Sequence, residues 1–142
     1  DKLARARELG AFGTANYRQN ENWQDEVHAL TGGQGVDHVL EVGGRDTLEK
    51  AIQALGFEAH IGLIGGLSGF APSIPAGSFL TQGTRVTGIY VGSRADFEAM
   101  NAFIEEHEIE PVIGRVFDFD DAPAAFDFMD NGDYFGKIVI SH

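Results

Sequence analysis

Apolar residues along the chain follow two different spacings in turn. Apolar positions three or four residues apart predict helices, at residues 1–10, 22–33, 45–56, 93–108 and 121–132. Short continuous apolar runs predict strands, at residues 36–42, 60–65 and 85–92, with a weaker candidate at 14–17. Because strands alternate with helices, we expect an α/β fold whose parallel sheet carries helices on its faces.

Local residues indicate where several of these helices begin and end. Asp46 and Glu49 are spaced as a capping box, and Gly56 is positioned to end that helix. Ser93 and Asp121 are suitable N-caps for the two helices that follow. The sequence therefore predicts helix boundaries as well as helices.

The pattern changes after residue 111. Residues 111–119 and 136–142 predict two further strands on either side of the last helix. We expect a different structural unit here, with Pro111 near the junction. At its other end the chain opens on a helix with no strand before it, although strand and helix otherwise alternate.

The chain is acidic and has no cysteine. Its formal net charge is -12 over 142 residues, which argues against binding to nucleic acid or to an anionic membrane surface, since both depend on Lys and Arg. The lack of cysteine excludes a disulfide framework and thiolate metal ligands. These residues contain no leader-like stretch and no apolar run of membrane length, and we expect a cytoplasmic location.

One short stretch departs from this acidic balance. Residues 1–18 contain Lys2, Arg5, Arg7 and Arg18 against only two carboxylates. Two interpretations are open. The stretch is either an ordinary solvated helix face or a small anion site on an otherwise acidic protein.

Glycines end three of the predicted strands. They stand at Gly43 and Gly44, at Gly65 and Gly66, and at Gly92. Ligands of open parallel α/β sheets bind beyond the carboxyl ends of the strands, and glycine allows a ligand to approach the backbone closely. A single such ending is typical of a simple turn, but three in successive strands predict a binding crevice.

No set of residues predicts catalysis within this chain. The pyrophosphate-binding pattern G-x-G-x-x-G is absent, since Gly33 and Gly35 precede a strand rather than a helix. The histidines lack metal-ligand spacing. Tyr134 and Lys137 precede a strand and lack the spacing of the helical Tyr-Lys pair of short-chain dehydrogenases. We therefore predict no catalytic residue and no metal ligand here.

An ordered series of motifs resembles a known superfamily. The segments, in chain order, are KLARARELGA, LTGGQGVDHVLEVGG, IGLIGGLSG, VTGIYVGSRADFEAM, PVIGRVF and FGKIVI. Together they resemble the medium-chain dehydrogenase/reductase superfamily, and most of all its zinc-type alcohol dehydrogenase-like and quinone oxidoreductase branches. The likeness runs along essentially the whole chain.

The resemblance implies a particular domain layout. Residues 1–110 would be a partial Rossmann, or dinucleotide-binding, domain that lacks its first two strands. Residues 111–142 would return to a GroES-like catalytic domain that is otherwise absent. On this interpretation the chain is a C-terminal fragment, and the glycine-rich phosphate turn lies upstream of it.

The resemblance also implies cofactor contacts. Lys2 would meet the 2′-phosphate of NADPH beside Tyr17, so NADP(H) is favoured over NAD(H). The full set of residues implied to bind the cofactor is Lys2, Tyr17, Val42, Gly43, Ile64, Gly65, Tyr90, Val91, Gly92, Phe135, Gly136 and Lys137. The parent protein could hold zinc, but none of the ligands would be in this chain.

The parent is expected to transfer hydride between the nicotinamide cofactor and a small alcohol, aldehyde or enone, as a homo-oligomer. The isolated chain is expected to be inactive. The alternative is a stand-alone, non-catalytic α/β module that self-associates or binds a partner. Loss of the first two strands would expose a sheet edge, so we expect a rearranged sheet or an oligomer.

Three segments differ from the family pattern. Residues 56–62 replace the usual Pro-Gly-Gly turn, and residues 12–17 make a poor central strand. Gly114 stands where relatives often carry an acidic residue.

Overall fold

A three-stranded parallel sheet organises the first part of the chain. The computed structural model describes residues 1–70, 76–132 and 134–142. The contacts group these residues into two units, Asp1–Val91 and Gly92–His142. This division falls before the predicted boundary at residues 110/111, and the helix that follows residue 92 is grouped with the C-terminal strands. The assignment of the two parts to a cofactor domain and a return segment stays a prediction.

The first unit alternates helix and strand. In chain order its elements are α1 (Lys2–Glu8), α2 (Trp23–Leu30), β1 (Val36–Glu41), α3 (Leu48–Gln53), β2 (Leu55–Leu63), α4 (Ala76–Gln82) and β3 (Arg85–Gly88). The strands pair in the order β1-β2-β3, all parallel. The predicted parallel α/β sheet is therefore confirmed.

The core of this unit lies between α3 and one face of the sheet. Leu48 and Ile52 from α3 pack against Leu55, Ala59 and Ile61 of β2. Ile61 is completely buried. Because β2 is the central strand and α3 places its apolar side chains on one helix face, this cluster fixes the sheet beneath the loops at its carboxyl end.

The second unit is a small βαβ arrangement preceded by a helix. Its elements are α5 (Arg94–Glu106), β4 (Ile113–Asp118), a 3-10 turn (Phe119–Asp121), α6 (Ala122–Asp130) and β5 (Lys137–Ser141). The two strands are parallel, as expected when a helix connects them. Arg115 lies over the rings of Phe117 and Phe128, 4.5 and 4.8 Å from their centroids.

Two predicted helix boundaries are confirmed and two are wrong. Ser93 and Asp121 are the N-caps of α5 and α6. The capping box predicted at Asp46 does not form, because Thr47 is the N-cap of α3 and Asp46 donates its N–H to Ser68 instead. The helix ends before Gly56, which lies inside β2.

The weak strand predicted at residues 14–17 is also wrong. These residues form a loop, in which the Asn16 carbonyl accepts the N–H groups of Gln19 and Asn20. The Asn16 side chain accepts a further bond from the Arg18 N–H. Asn16 thus accepts the hydrogen bonds of a turn, where a strand would have bonded to a neighbouring strand.

Two further features differ from expectation. The sequence pattern missed α4 entirely. β2 begins at Leu55, five residues before the predicted strand, and its pairing with β1 shifts register around Glu58, whose φ is 56°. The three described strands keep their sequential order, so the sheet is not rearranged; self-association stays a prediction.

Candidate functional site

A cavity of about 660 Å³ opens beyond the carboxyl end of β1. Its volume is that of a small-molecule or cofactor pocket. The residues that line it are Ala15, Tyr17, Trp23, Val27, Leu40, Glu41, Val42, Gly43, Asp46, Thr47, Leu67 and Ser68. All of them belong to the first unit, and most are aromatic, apolar or glycine.

The wall formed by α2 is held in place by α3. The Lys50 ammonium donates to the Asn22 side-chain oxygen (3.3 Å), and His28 Nε2 lies 2.7 Å from the Gln53 carbonyl oxygen. These bonds fix α2 so that Trp23 and Val27 reach the cavity. The lining also includes Leu40 of β1, which is 75% exposed.

The turn after β1 is organised by one buried carboxylate. Glu41 is 4% exposed. Its Oε1 accepts the N–H groups of Gly43 (2.7 Å) and Gly44 (2.8 Å) and the hydroxyl of Thr47 (2.6 Å). Such a buried charge is stable only when donors surround it, and here backbone and hydroxyl groups of its own turn provide them.

Sequence reasoning missed Glu41. An acidic side chain at the end of a strand usually faces solvent. Two of the three donors to the Glu41 carboxylate are backbone N–H groups, which the sequence does not reveal. The one available signal was its position, as a charged residue at the end of an apolar strand, two residues before a glycine pair.

The loop after β2 is tied to the turn after β1. Ser68 donates both its N–H and its hydroxyl to the Gly43 carbonyl, each at 2.8 Å. The Leu67 N–H donates to the Val42 carbonyl at 3.3 Å. The two loops that close the cavity therefore form one hydrogen-bonded layer.

Two glycines are sterically required in this layer. A side chain on Gly43 would collide with the Thr47 hydroxyl. Gly44 has a φ of +89°, and a Cβ there would collide with the Gly69 carbonyl oxygen. Gly43 thus allows close packing within its own turn, and Gly44 allows close packing between the two loops.

The structure brings three of the predicted cofactor residues together in the cavity: Tyr17, Val42 and Gly43. Ile64 and Gly65 lie next to them, because both of their N–H groups donate to the Glu41 carbonyl, at 2.8 and 3.2 Å. The carboxyl ends of β1 and β2 thus meet at one edge of the sheet.

The other predicted residues lie outside the cavity. Lys2 is the exposed first residue of α1, and Tyr90 and Val91 follow β3, with Tyr90 95% exposed. The remaining ones belong to the second unit: Gly92 just before α5, and Phe135, Gly136 and Lys137 at the start of β5. Lys137 donates its N–H to the Val112 carbonyl.

The basic stretch at the start of the chain approaches one wall of the cavity. The Arg7 side chain donates to the Thr14 hydroxyl at 3.0 Å, next to the cavity residue Ala15. Arg5 instead pairs with Glu8 on the same helix, at 2.8 Å. Arg7 therefore ties α1 to the cavity loop.

No cluster of three or more His, Asp or Glu side chains that could hold a metal ion occurs among the described residues. In the same part of the chain, every helix is too short or too polar to cross a membrane.

A parallel sheet with a cavity beyond its carboxyl edge is the arrangement with which open α/β domains bind ligands, dinucleotide cofactors among them. A model of the family described as zinc-binding dehydrogenase matches residues 1–106. The chain belongs to this oxidoreductase family, within the medium-chain dehydrogenase/reductase superfamily. The resemblance drawn from the motifs is thus confirmed, as is the Rossmann-type class of the sheet.

Named relatives agree with this assignment. The chain is 35% identical to a zinc-type alcohol dehydrogenase-like protein of Schizosaccharomyces pombe, over 99% of the chain and 42% of that protein. It is 27% identical to a quinone oxidoreductase-like protein 2 homolog of Nematostella vectensis, over 99% and 41% respectively.

A solved structure shows the same fold. The crystal structure of an NAD-dependent alcohol dehydrogenase superposes with a TM-score of 0.84 at 29% identity. The match covers 100% of this chain and 41% of that one. The chain thus spans about two fifths of the length of the relatives it matches.

Proposed function

We propose that this chain is the cofactor-binding portion of an NAD(P)-dependent oxidoreductase. The parent protein transfers hydride between nicotinamide and a small alcohol, aldehyde or enone. The cavity at the carboxyl end of β1 carries the proposal, because it combines the predicted residues Tyr17, Val42 and Gly43 in a member of a dehydrogenase family. Matched relatives are named as an NAD-dependent alcohol dehydrogenase and a 2-haloacrylate reductase.

The cavity suits the uncharged part of a dinucleotide. Tyr17 and Trp23 offer aromatic surface to a flat base, and Val42 and Leu67 offer apolar surface. Asp46 also lines the cavity and provides a carboxylate for ribose hydroxyl groups. The cavity therefore matches a base and its ribose.

A phosphate does not fit the Gly43–Gly44 turn. Paired glycine N–H groups after a strand commonly hold anions, but here both donate to Glu41. The pyrophosphate contact thus belongs to residues outside this turn, in agreement with the missing G-x-G-x-x-G pattern.

The preference for NADP(H) is also a proposal. It is supported by the basic stretch around α1, in which Lys2 is proposed to face the 2′-phosphate. Ile64, Gly65, Tyr90, Val91 and Gly92 are proposed for the nicotinamide side. The late segment Phe135, Gly136 and Lys137 is proposed to close over the cofactor.

We propose no catalytic residue in this chain, and we expect the isolated chain to be inactive. Any zinc of the parent protein would be bound by residues outside it. The comparisons lend no support to the alternative of a non-catalytic module. Homo-oligomerisation stays a proposal, and so does a cytoplasmic location.

Titration with NADPH and NADH tests the proposal directly. Trp23 is the single tryptophan, so its emission reports on the cavity, and bound reduced nicotinamide accepts energy from tryptophan. We expect saturable quenching that is stronger for NADPH than for NADH. The variant Val42→Glu should weaken NADPH binding at least about tenfold, since it replaces apolar surface with a further negative charge in a lining that already includes Glu41 and Asp46.

The matched control is Leu80→Glu, which introduces the same charge on an exposed residue of α4 outside the cavity. It should leave the titration unchanged. Absence of saturable quenching in the unmodified chain, with no heat of binding by calorimetry, would contradict the proposal. Equal weakening by both substitutions would contradict the assignment of the cavity.

A further inference from the structure

Glu41 occupies an anion-binding concavity that its own turn forms. Two successive N–H groups, those of Gly43 and Gly44, converge on its Oε1, and the Thr47 hydroxyl is a third donor. Converging N–H groups form a small electropositive concavity that otherwise takes a ligand anion. The chain fills this concavity with its own carboxylate.

The bonds to Glu41 fix the shape of the cavity wall. Val42 and Gly43 lie in the turn that these bonds close, so their backbone follows the position of Glu41. Their carbonyls in turn accept the N–H groups of Leu67 and Ser68. A displacement of Glu41 would therefore disturb both loops that close the cavity.

We propose that Glu41 is a positioning residue for the cofactor. Its buried carboxylate holds the turn from Gly43 to Thr47 in the shape that receives the base and ribose, and it keeps phosphate away from the glycine N–H groups. This inference rests on the proposed function, because it takes the dinucleotide as the ligand. Glu41 acts through the turn and performs no chemistry.

Two substitutions separate the effect of the acceptor oxygen of Glu41 from the effect of its side-chain volume. Glu41→Leu has a similar volume but no acceptor, whereas Glu41→Gln retains one acceptor oxygen for the same donors. We expect NADPH affinity to fall at least about tenfold in Glu41→Leu, as loss of charge-assisted hydrogen bonds implies. Glu41→Gln should recover most of that affinity.

Thr47→Val is a milder variant, and we expect it to fold even if Glu41→Leu does not, since it removes one of the three donors and keeps the carboxylate. It removes a single donor and should give an intermediate loss. Ile61→Val is the control for lowered stability alone, since Ile61 is a buried core residue of β2 that does not line the cavity. It should lower the unfolding temperature without changing NADPH affinity.

Amide hydrogen exchange gives a second readout that needs no cofactor. The N–H groups of Gly43 and Gly44 should exchange at least about tenfold faster in Glu41→Leu than in the unmodified chain. In the Ile61→Val control, the exchange rates of Gly43 and Gly44 should rise no more than those of the β2 amides. The ratio of the two sets of rates should therefore equal that of the unmodified chain. Faster exchange together with weaker NADPH binding supports the inference.

The possible failures are distinguishable. If the unmodified chain binds NADPH and both Glu41 variants bind it as tightly as the unmodified chain does, the inference is overturned and the proposed function stands. Faster exchange with unchanged affinity overturns it as well, because the order of the turn would then not matter to the ligand. If the unmodified chain binds no NADPH, the proposed function fails and this inference fails with it.

Discussion

At the scale of single residues, the turn after β1 depends on backbone conformations that only glycine adopts cheaply. Gly44 combines a φ of +89° with a Cβ direction that points into the Gly69 carbonyl. Gly77, at the start of α4, has open space around its Cβ position. The two glycines therefore predict opposite responses to the same substitution.

We expect Gly44→Ala to lower the free energy of unfolding by about 1–3 kcal/mol, because the left-handed backbone and the collision both oppose a side chain. Gly77→Ala should raise the free energy of unfolding by up to about 1 kcal/mol, because alanine favours the helix. Urea unfolding followed by circular dichroism measures both. Equal effects of the two substitutions would contradict the packing described for Gly44.

Single residues also explain why the sequence indicated only part of the cavity lining. Gly43 was indicated by its position, since a glycine at the end of an apolar strand marks the edge where ligands bind, and Val42 was indicated by the resemblance to the family. Glu41 was not, because its burial depends on backbone donors whose direction the sequence does not show. Trp23 was predicted as part of a helix face, but its position in the cavity wall depends on the contact of α2 with α3.

At the scale of elements, helices whose apolar residues follow helical spacing were predictable even without a side-chain cap, as α1, α2 and α3 show. The capping box of α5 joins Ser93 and Asp96 in both directions: the Ser93 hydroxyl accepts the Asp96 N–H (3.2 Å), and the Asp96 carboxylate accepts the Ser93 N–H (2.7 Å). α4 carries few apolar residues at helical spacing and was missed. Its Phe79 packs against the core, so tertiary contact supports this helix more than its own pattern does.

Ser93→Ala tests the cap of α5. Near pH 7 it should lower the free energy of unfolding by about 1 kcal/mol, because the hydroxyl no longer accepts the Asp96 N–H. Hydrogen bonds from the N–H and hydroxyl of Ser93 lower the pKa of Asp96 in the folded chain. Ionised Asp96 therefore stabilises the fold above its unfolded pKa, and this contribution is lost as the pH falls through its folded pKa.

The cost of Ser93→Ala should consequently be smaller in acid than near neutral pH. Thermal unfolding of the unmodified chain and of Ser93→Ala, measured from acid to neutral pH, gives this difference. Ser78→Ala, a serine within α4, is the control and should show no comparable loss. A cost that stays constant with pH would contradict the bond between the Ser93 hydroxyl and the Asp96 carboxylate.

At the scale of the whole molecule, exposed apolar surface and net charge have opposite effects on self-association. Large apolar side chains are exposed in both units, among them Leu40 and Phe57 in the first and Phe97 and Phe103 in the second. Burial of such side chains between copies favours association. The net charge of -12 favours separation through repulsion.

This balance predicts an oligomeric state that depends on salt. At low ionic strength the repulsion acts over tens of ångströms, whereas at about 0.5 M salt it is screened within a few ångströms. The proposed homo-oligomer should therefore gain mass with added salt, because the apolar contribution persists while the repulsion is lost. Light scattering coupled to gel filtration, at two salt concentrations and two protein concentrations, measures this. A monomer under all four conditions would contradict self-association, and a mass that decreases with salt would mean that charge pairs rather than apolar contacts join the copies.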